Sequence, residues 1–319
     1  MDSVKQAVSA TVLAVVLVSG IGVGSARAEK RIGIVMFSQE KRYLEARDAA
    51  KEAIGKKEPG VLYVEENAEG NKARAAEIAK KVAAAKYDLV LVMGTSAATA
   101  VAGAVKDVPV VFSMVYDPVD AKIAKDWSSS GNNTTGSSPK VPMPLLLENL
   151  KKLRAVKTLG VIYTPGEKNS ESQLKEIQAA QAGAGLKILP IPVASKDEIN
   201  TVVADAAGKI EALYLTGSSV VGENLPLLLG IAARAKVVTL SHLDDMIERG
   251  ALFGVAANSE AVGRLAGAKA ALILGRAAPA SLPIETLSSF DVILNQKTAA
   301  DTGIAVPADF KKLVTRTIP

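Results

Sequence analysis

Short apolar runs alternate with helical stretches along most of the chain, and this alternation restricts the fold more than any other feature of the sequence. The runs Ile32–Phe37, Val61–Val64, Leu89–Met93, Val110–Phe112, Leu159–Tyr163, Lys187–Pro190, Ala212–Leu215, Val237–Leu240 and Leu252–Val255 read as buried strands. Between them, Tyr43–Ile54, Asn71–Ala84, Ser170–Ala184, Asp197–Ala207 and Ala261–Leu274 carry the spacing of amphipathic helices. Strand, helix, strand without hairpin signals means parallel sheets with helices on both faces. The pattern runs from Arg31 to Phe112 and restarts at Thr158, on either side of the polar segment WSSSGNNTTGSSPKVPMP (Trp127–Pro144), which has the composition of a connector. The expected architecture is α/β, with two doubly wound parallel-sheet lobes joined by crossing segments.

The stretch VLVSGIGVGSARAEKRIGIVMF (17–38) admits two readings, a glycine loop that cradles a dinucleotide or an export signal. A nucleotide loop opens a helix, whereas here the strand from Arg31 follows almost at once. Lys5, the apolar stretch Ala7–Val18 and Ala26-Arg27-Ala28 fit a signal peptide. Residues 1–28 are therefore expected to be cleaved after Ala28. A membrane anchor is disfavoured, since a spanning helix wants about 20 apolar residues. The chain has no cysteine, which excludes disulfides, thiolate metal sites and a lipid-modified N-terminal Cys, and so favours a soluble protein in a periplasm. Its formal net charge of +5 is scattered along helices, a distribution that does not suggest nucleic-acid binding.

In parallel sheets, chemistry collects where strands end at their carboxyl side. Those positions hold FSQEKRY (Phe37–Tyr43), GTSAA (Gly94–Ala98) and SMVYDP (Ser113–Pro118) in the first half, and YTPGEKNSES (Tyr163–Ser172), TGSSVVGEN (Thr216–Asn224) and LSHLDD (Leu240–Asp245) in the second. A Ser or Thr at such a place can simply cap a helix. The same bias at several loop mouths facing one crevice instead makes a site for a small polar or carboxylated molecule. Tyr43, Tyr116 and Tyr163 are candidates for stacking on a ligand, or equally for packing the lobes. Ser38, Thr95, Ser96, Ser137, Ser138, Asn169 and Ser170 are candidates for hydrogen bonds to its polar end, with Gly94-Thr95-Ser96 and Asn169-Ser170 expected to grip it. An enzyme has little to work with: His242 is the only histidine and is expected in the first turn of a helix, and G-x-S-x-G, P-loop and H-E-x-x-H motifs are absent. Neither a metal nor a cofactor is expected.

VPVVFSMVYDPVDAKI (108–123), GNNTTGSS (131–138), KTLGVIYTPGEKNS (157–170), RGALFGVAANSEAVGRLAGAKAALILGR (249–276) and VILNQKTAADTGIAVP (292–307) resemble successive landmarks of the ABC-transporter substrate-binding family that includes tryptophan- and tyrosine-binding receptors. The resemblance implies a periplasmic receptor of the type I binding-protein fold, in which three chain crossings link two Rossmann-like lobes. The first lobe would hold residues 29–137 and 257–292, the second 138–256 and 293–319. It further implies a monomer whose partners are a small-molecule ligand, such as an amino acid, and an ABC permease in the inner membrane. A ligand-presenting partner of a membrane sensor and a secreted Rossmann-like enzyme are the alternatives. Tyr116-Asp117-Pro118 and the stretch around Gly136 would lie near the first crossing, where closure around the solute rotates the backbone, and Asp117 joins the candidate contacts. The chain departs from the family pattern at Thr216-Gly217-Ser218-Ser219, where many members have a Thr-Asp-Asn-like turn, at Asn258, where Tyr is common, and at Gln39–Tyr43, which lacks a His-Pro. Ser218 and Asn258 complete the candidate set, and the departures leave the solute open.

Overall fold

The computed structural model describes residues 29–319, so the expected signal peptide lies outside the described residues. The first half runs β1 (Arg31–Met36), α1 (Lys41–Gly55), β2 (Leu62–Asn67), α2 (Lys72–Ala84), β3 (Leu89–Met93), α3 (Thr95–Ala104), β4 (Val110–Ser113) and β5 (Thr134–Gly136). Its strands form a parallel sheet in the order β2-β1-β3-β4-β5. All five residues of β3 are fully buried, as a central parallel strand covered on both faces requires. The helices follow from local chemistry. The Asn71 side chain accepts the N–H groups of Ala73 and Arg74 to start α2, which then buries Ala75, Ile78, Ala79 and Val82 along one stripe.

The second half runs α4 (Met143–Leu153), β6 (Thr158–Tyr163), α5 (Lys168–Ala184), β7 (Lys187–Pro192), α6 (Lys196–Ala207), β8 (Ala212–Leu215), α7 (Ser219–Glu223), α8 (Leu225–Arg234), β9 (Val238–Ser241), α9 (Asp244–Glu248) and β10 (Phe253–Ala256). After α10 (Ser259–Leu274) come β11 (Asp291–Asn295), α11 (Gln296–Thr302), α12 (Ala308–Lys311) and β12 (Arg316–Ile318). The second sheet has the order β12-β11-β10-β9-β8-β6-β7.

Two features correct the sequence reading. Thr134–Gly136, inside the polar segment read as a connector, is a strand beside β4, because its threonines are fully buried and Asn133 ties the entry to the carbonyls of Val105 and Val108. The second sheet is not wholly parallel either. β11 runs antiparallel to β10, since the chain reaches it from the first sheet's side and not through a crossover helix of its own sheet. Between those strands α10 lies across α1 so closely that a methyl group at Gly263 would stand 2.1 Å from the Ala46 carbonyl oxygen. The chain thus passes between the two α/β units three times: after β5, after β10 and before β11.

Candidate functional site

The carboxyl ends of the two sheets face each other across a cleft. From the first sheet's side come Arg42 and Tyr43 in the first turn of α1, Thr95 at the start of α3, and Met114 and Tyr116 beyond β4. From the other side come Asn169 and Gln173, one turn apart on α5, Gly217 after β8, and His242 and Leu243 after β9, while Pro139 projects from the first crossing. Together they leave about 20 Å³, roughly the room of one water. The cleft is shut, and a solute of amino-acid size enters only by separating its walls.

Arg42 is the centre of charge. Its side chain is 2 % exposed; one arm of the guanidinium donates to Asp245 Oδ2 across the cleft at 2.8 Å, the other to Glu40 Oε2 at 2.6 Å, and the group lies over the Tyr43 ring at 4.7 Å. Burial pushes the Asp245 carboxyl up to about 6, against the pull of Arg42, and the charges of Glu40 and Asp244 add to that rise. Glu40 also reaches toward the opposite wall, where a methyl group at Gly222 would meet its Oε1 at 2.4 Å. His242 sits in the loop before α9 and not in the first turn, because that helix begins only at Asp244. Burial, with the Arg42 charge behind it, lowers its imidazole to about 3, so the ring is neutral. Its Nδ1 pairs with the Tyr214 hydroxyl at 2.6 Å, and the Tyr116 ring meets it edge-on at 5.1 Å. Met114 adopts φ +58°, a backbone state that side chains rarely take, at the cleft wall.

Further contacts hold the walls together. The Tyr116 hydroxyl donates to Glu176 of α5 at 2.7 Å, Lys140 pairs with both Asp117 and Glu176, Asp120 pairs with Ser172 and Lys175, Lys41 pairs with Glu248, and Lys72 donates to the Gly166 carbonyl at 2.9 Å. Among the described residues, no cluster of three or more His, Asp or Glu could hold a metal.

Of the sequence candidates, Tyr43, Thr95, Tyr116 and Asn169 meet at the cavity. The others lie off its wall, and most of them have polar partners of their own. Ser38 donates to Glu40; Ser137 bonds Ser113 and the Val262 carbonyl; Ser138 bonds the Tyr116 carbonyl. Ser170 accepts the Thr164 N–H and donates back to that residue's carbonyl, Ser218 pairs with the Thr164 hydroxyl, and Asn258 caps α10. Asp117 accepts the N–H groups of Val119 and Asp120, Ser96 stands half-buried in α3, and Tyr163 packs on the apolar core. The sequence reading did not include Arg42, Gln173, His242 or Asp245 among the solute contacts, and it assigned His242 to a helix's first turn. Two signals were there: a cation in a helix's first turn opposes the helix dipole and needs an acid nearby, and Gln173 follows Asn169 by four positions on one helix face.

The ABC transporter substrate binding protein family model matches residues 32–318. The chain is 26% identical over 277 residues to the tyrosine-binding protein of Clostridioides difficile strain R20291, covering 85% of this chain and 80% of that one. An ABC domain from Streptococcus pneumoniae in complex with L-Trp is 27% identical, with 91% of this chain and 100% of that chain covered and a TM-score of 0.86. The ligand-free, open structure of a substrate-binding protein with adhesive properties from Clostridium difficile is also 27% identical, with 90% and 98% covered, yet its TM-score is 0.70. At equal identity the chain superposes better on the tryptophan complex than on the open form, in keeping with its shut cleft.

Proposed function

Because this chain belongs to the family of ABC transporter substrate-binding proteins, we propose that it is a periplasmic receptor that captures a small polar or amino-acid-like solute between its lobes and hands it to a permease in the inner membrane. It is a binding protein and not an enzyme. The observation that carries this reading is the cavity at the carboxyl ends of the two sheets, to which both α/β units contribute side chains. A solute resting on one wall gains the contacts of the other only when the walls meet, so its binding energy favours the closed state, the form a permease reads. We take the lobes as 29–137 with 257–292 and 138–256 with 293–319, acting as a monomer. Tyr43, Thr95, Tyr116 and Asn169, joined by Gln173 and His242, are the proposed solute contacts. The hydroxyls of Ser137, Ser138, Ser170 and Ser218 hold the surrounding loops in place.

Export rests on the signal peptide read in residues 1–28, and no helix of the described residues is long and apolar enough to cross a membrane. The relatives named for tyrosine and solved with L-Trp make aromatic amino acids the first solutes to try. A thermal-shift panel of amino acids, small acids, nucleosides and sugars tests the reading, because a solute that binds only the folded chain raises its melting temperature. At least one member should do so, and a panel without any shift would count against a receptor for such solutes.

A further inference from the structure

Beside the cleft, the carboxylates around Arg42 outnumber the cation they share. Arg42 is buried, and it already serves two carboxylates, Glu40 from its own loop and Asp245 from the opposite wall. Each gives one oxygen to the guanidinium. The other oxygen of each, Glu40 Oε1 and Asp245 Oδ1, is enclosed without a hydrogen-bond partner. Enclosed acceptors without donors are rare in folded proteins and call for a physical reason. Neighbouring cations do not supply the donor: His242 is neutral, Lys41 is held by Glu45 and Glu248, and Lys72 donates to Gly166. More acid stands close by. Asp244 accepts from the Ser259 hydroxyl and the Asp245 N–H, and Glu167 accepts from the Ser219 N–H. Burial, and after it the charge of Glu40 among other causes, pushes the carboxyl groups of both Asp245 and Glu167 up.

Resting on the receptor reading above, we infer that the solute carries a protonated amine, which enters between Glu40 of the first lobe and Asp245 of the second. An ammonium group brings a full charge and several N–H donors. It satisfies both free oxygens at once and balances the cluster, and because the two acids come from opposite walls, the same group draws the lobes together. A solute whose only charge is a carboxylate would place a third anion beside a guanidinium that already has two. A quaternary ammonium brings the charge but no N–H donor. The amine therefore decides recognition, and any carboxylate on the solute lies away from Arg42.

Matched sets test this directly. Each amino acid is compared with its decarboxylated amine, its des-amino acid and its N-acetyl derivative, by thermal shift and then calorimetry, on the purified protein and on Glu40→Gln and Asp245→Asn. The solutes that bind should carry a free amine, and the des-amino and N-acetyl members should bind at least tenfold more weakly than their parent. Both variants should lose at least tenfold in affinity while keeping a cooperative ligand-free melt, and if one variant fails to fold the other still reports. A des-amino acid that binds as tightly as its parent, or wild-type affinity for an amine in a folded variant, overturns the inference and leaves the receptor reading standing. A panel in which nothing binds overturns both.

Discussion

Two polar clusters beside one cleft use their buried groups in opposite ways. Beside α5, Thr164, Ser170 and Ser218 close on one another, with Ser170 both accepting from and donating to the Thr164 backbone and Ser218 sharing a hydrogen bond with its hydroxyl. At the mouth of α1, Glu40, Arg42 and Asp245 are packed nearly as deeply, yet two carboxylate oxygens have no donor. Burial and polarity are common to both clusters. What separates them is bonding capacity still free, which a solute can take up without breaking a bond already made. On the proposed reading the hydroxyl cluster is scaffold, and the charged cluster, which spans both lobes, is where recognition occurs.

The largest expected effect breaks the charged cluster. Arg42→Met leaves Glu40 and Asp245 buried without their shared cation, and removing one partner of a buried ion pair costs about 3–5 kcal/mol. Urea unfolding should show a loss of that size, whereas a change under about 1 kcal/mol would mean that the cluster is open to solvent.

Acidity sharpens the same point. Asp245, pushed up to about 6, takes a proton in the folded chain before an unfolded carboxylate near about 3.9 would, so acidification favours folding at this residue. His242 works the other way. Its ring stays neutral in the folded chain down to about 3 while the unfolded ring charges near about 6.5, so folding loses stability as the pH falls between those values. The two slopes oppose each other between about pH 4 and pH 6. Relative to the parent, Asp245→Asn should therefore lose stability from about pH 7 to about pH 4, and His242→Gln should gain it, each by up to about 3 kcal/mol. Unfolding curves at several pH values check this, and parallel profiles for both variants would deny the opposed titrations.

A smaller effect probes the hydroxyl cluster. Ser170→Ala removes the partner of the buried Thr164 N–H and should lower stability by about 1–3 kcal/mol while leaving solute affinity unchanged. A tenfold loss of affinity with an unchanged melt would move this hydroxyl from scaffold to contact. The least effect is expected at the rim. Lys175, 74 % exposed in its pair with Asp120, should give at most about 1 kcal/mol when replaced by Ala.

The sheets were legible because buried strands such as Leu89–Met93 and one-sided helices such as α2 write their environment into apolar spacing. β5 was not, since Thr134, Thr135 and Gly136 are buried by a strand pair and a crossing that their composition does not announce. The reversed β11 escaped for a related reason: local spacing carries no record of the side from which the chain returns. At the cleft, Tyr43, Thr95, Tyr116 and Asn169 stood out by residue type and place after a strand. Arg42 and Asp245 did not, because a charge in a helix's first turn looks like a solvated face until a partner some 200 positions away is brought against it.

On the proposed reading this cleft closes around a solute. Small-angle X-ray scattering of the purified protein, alone and saturated with its best-binding amine, tests it most directly. Saturation should reduce the radius of gyration and bring the curve to the shut arrangement in which Arg42 reaches Asp245. Identical curves with and without saturating solute would contradict closure as the way this protein binds.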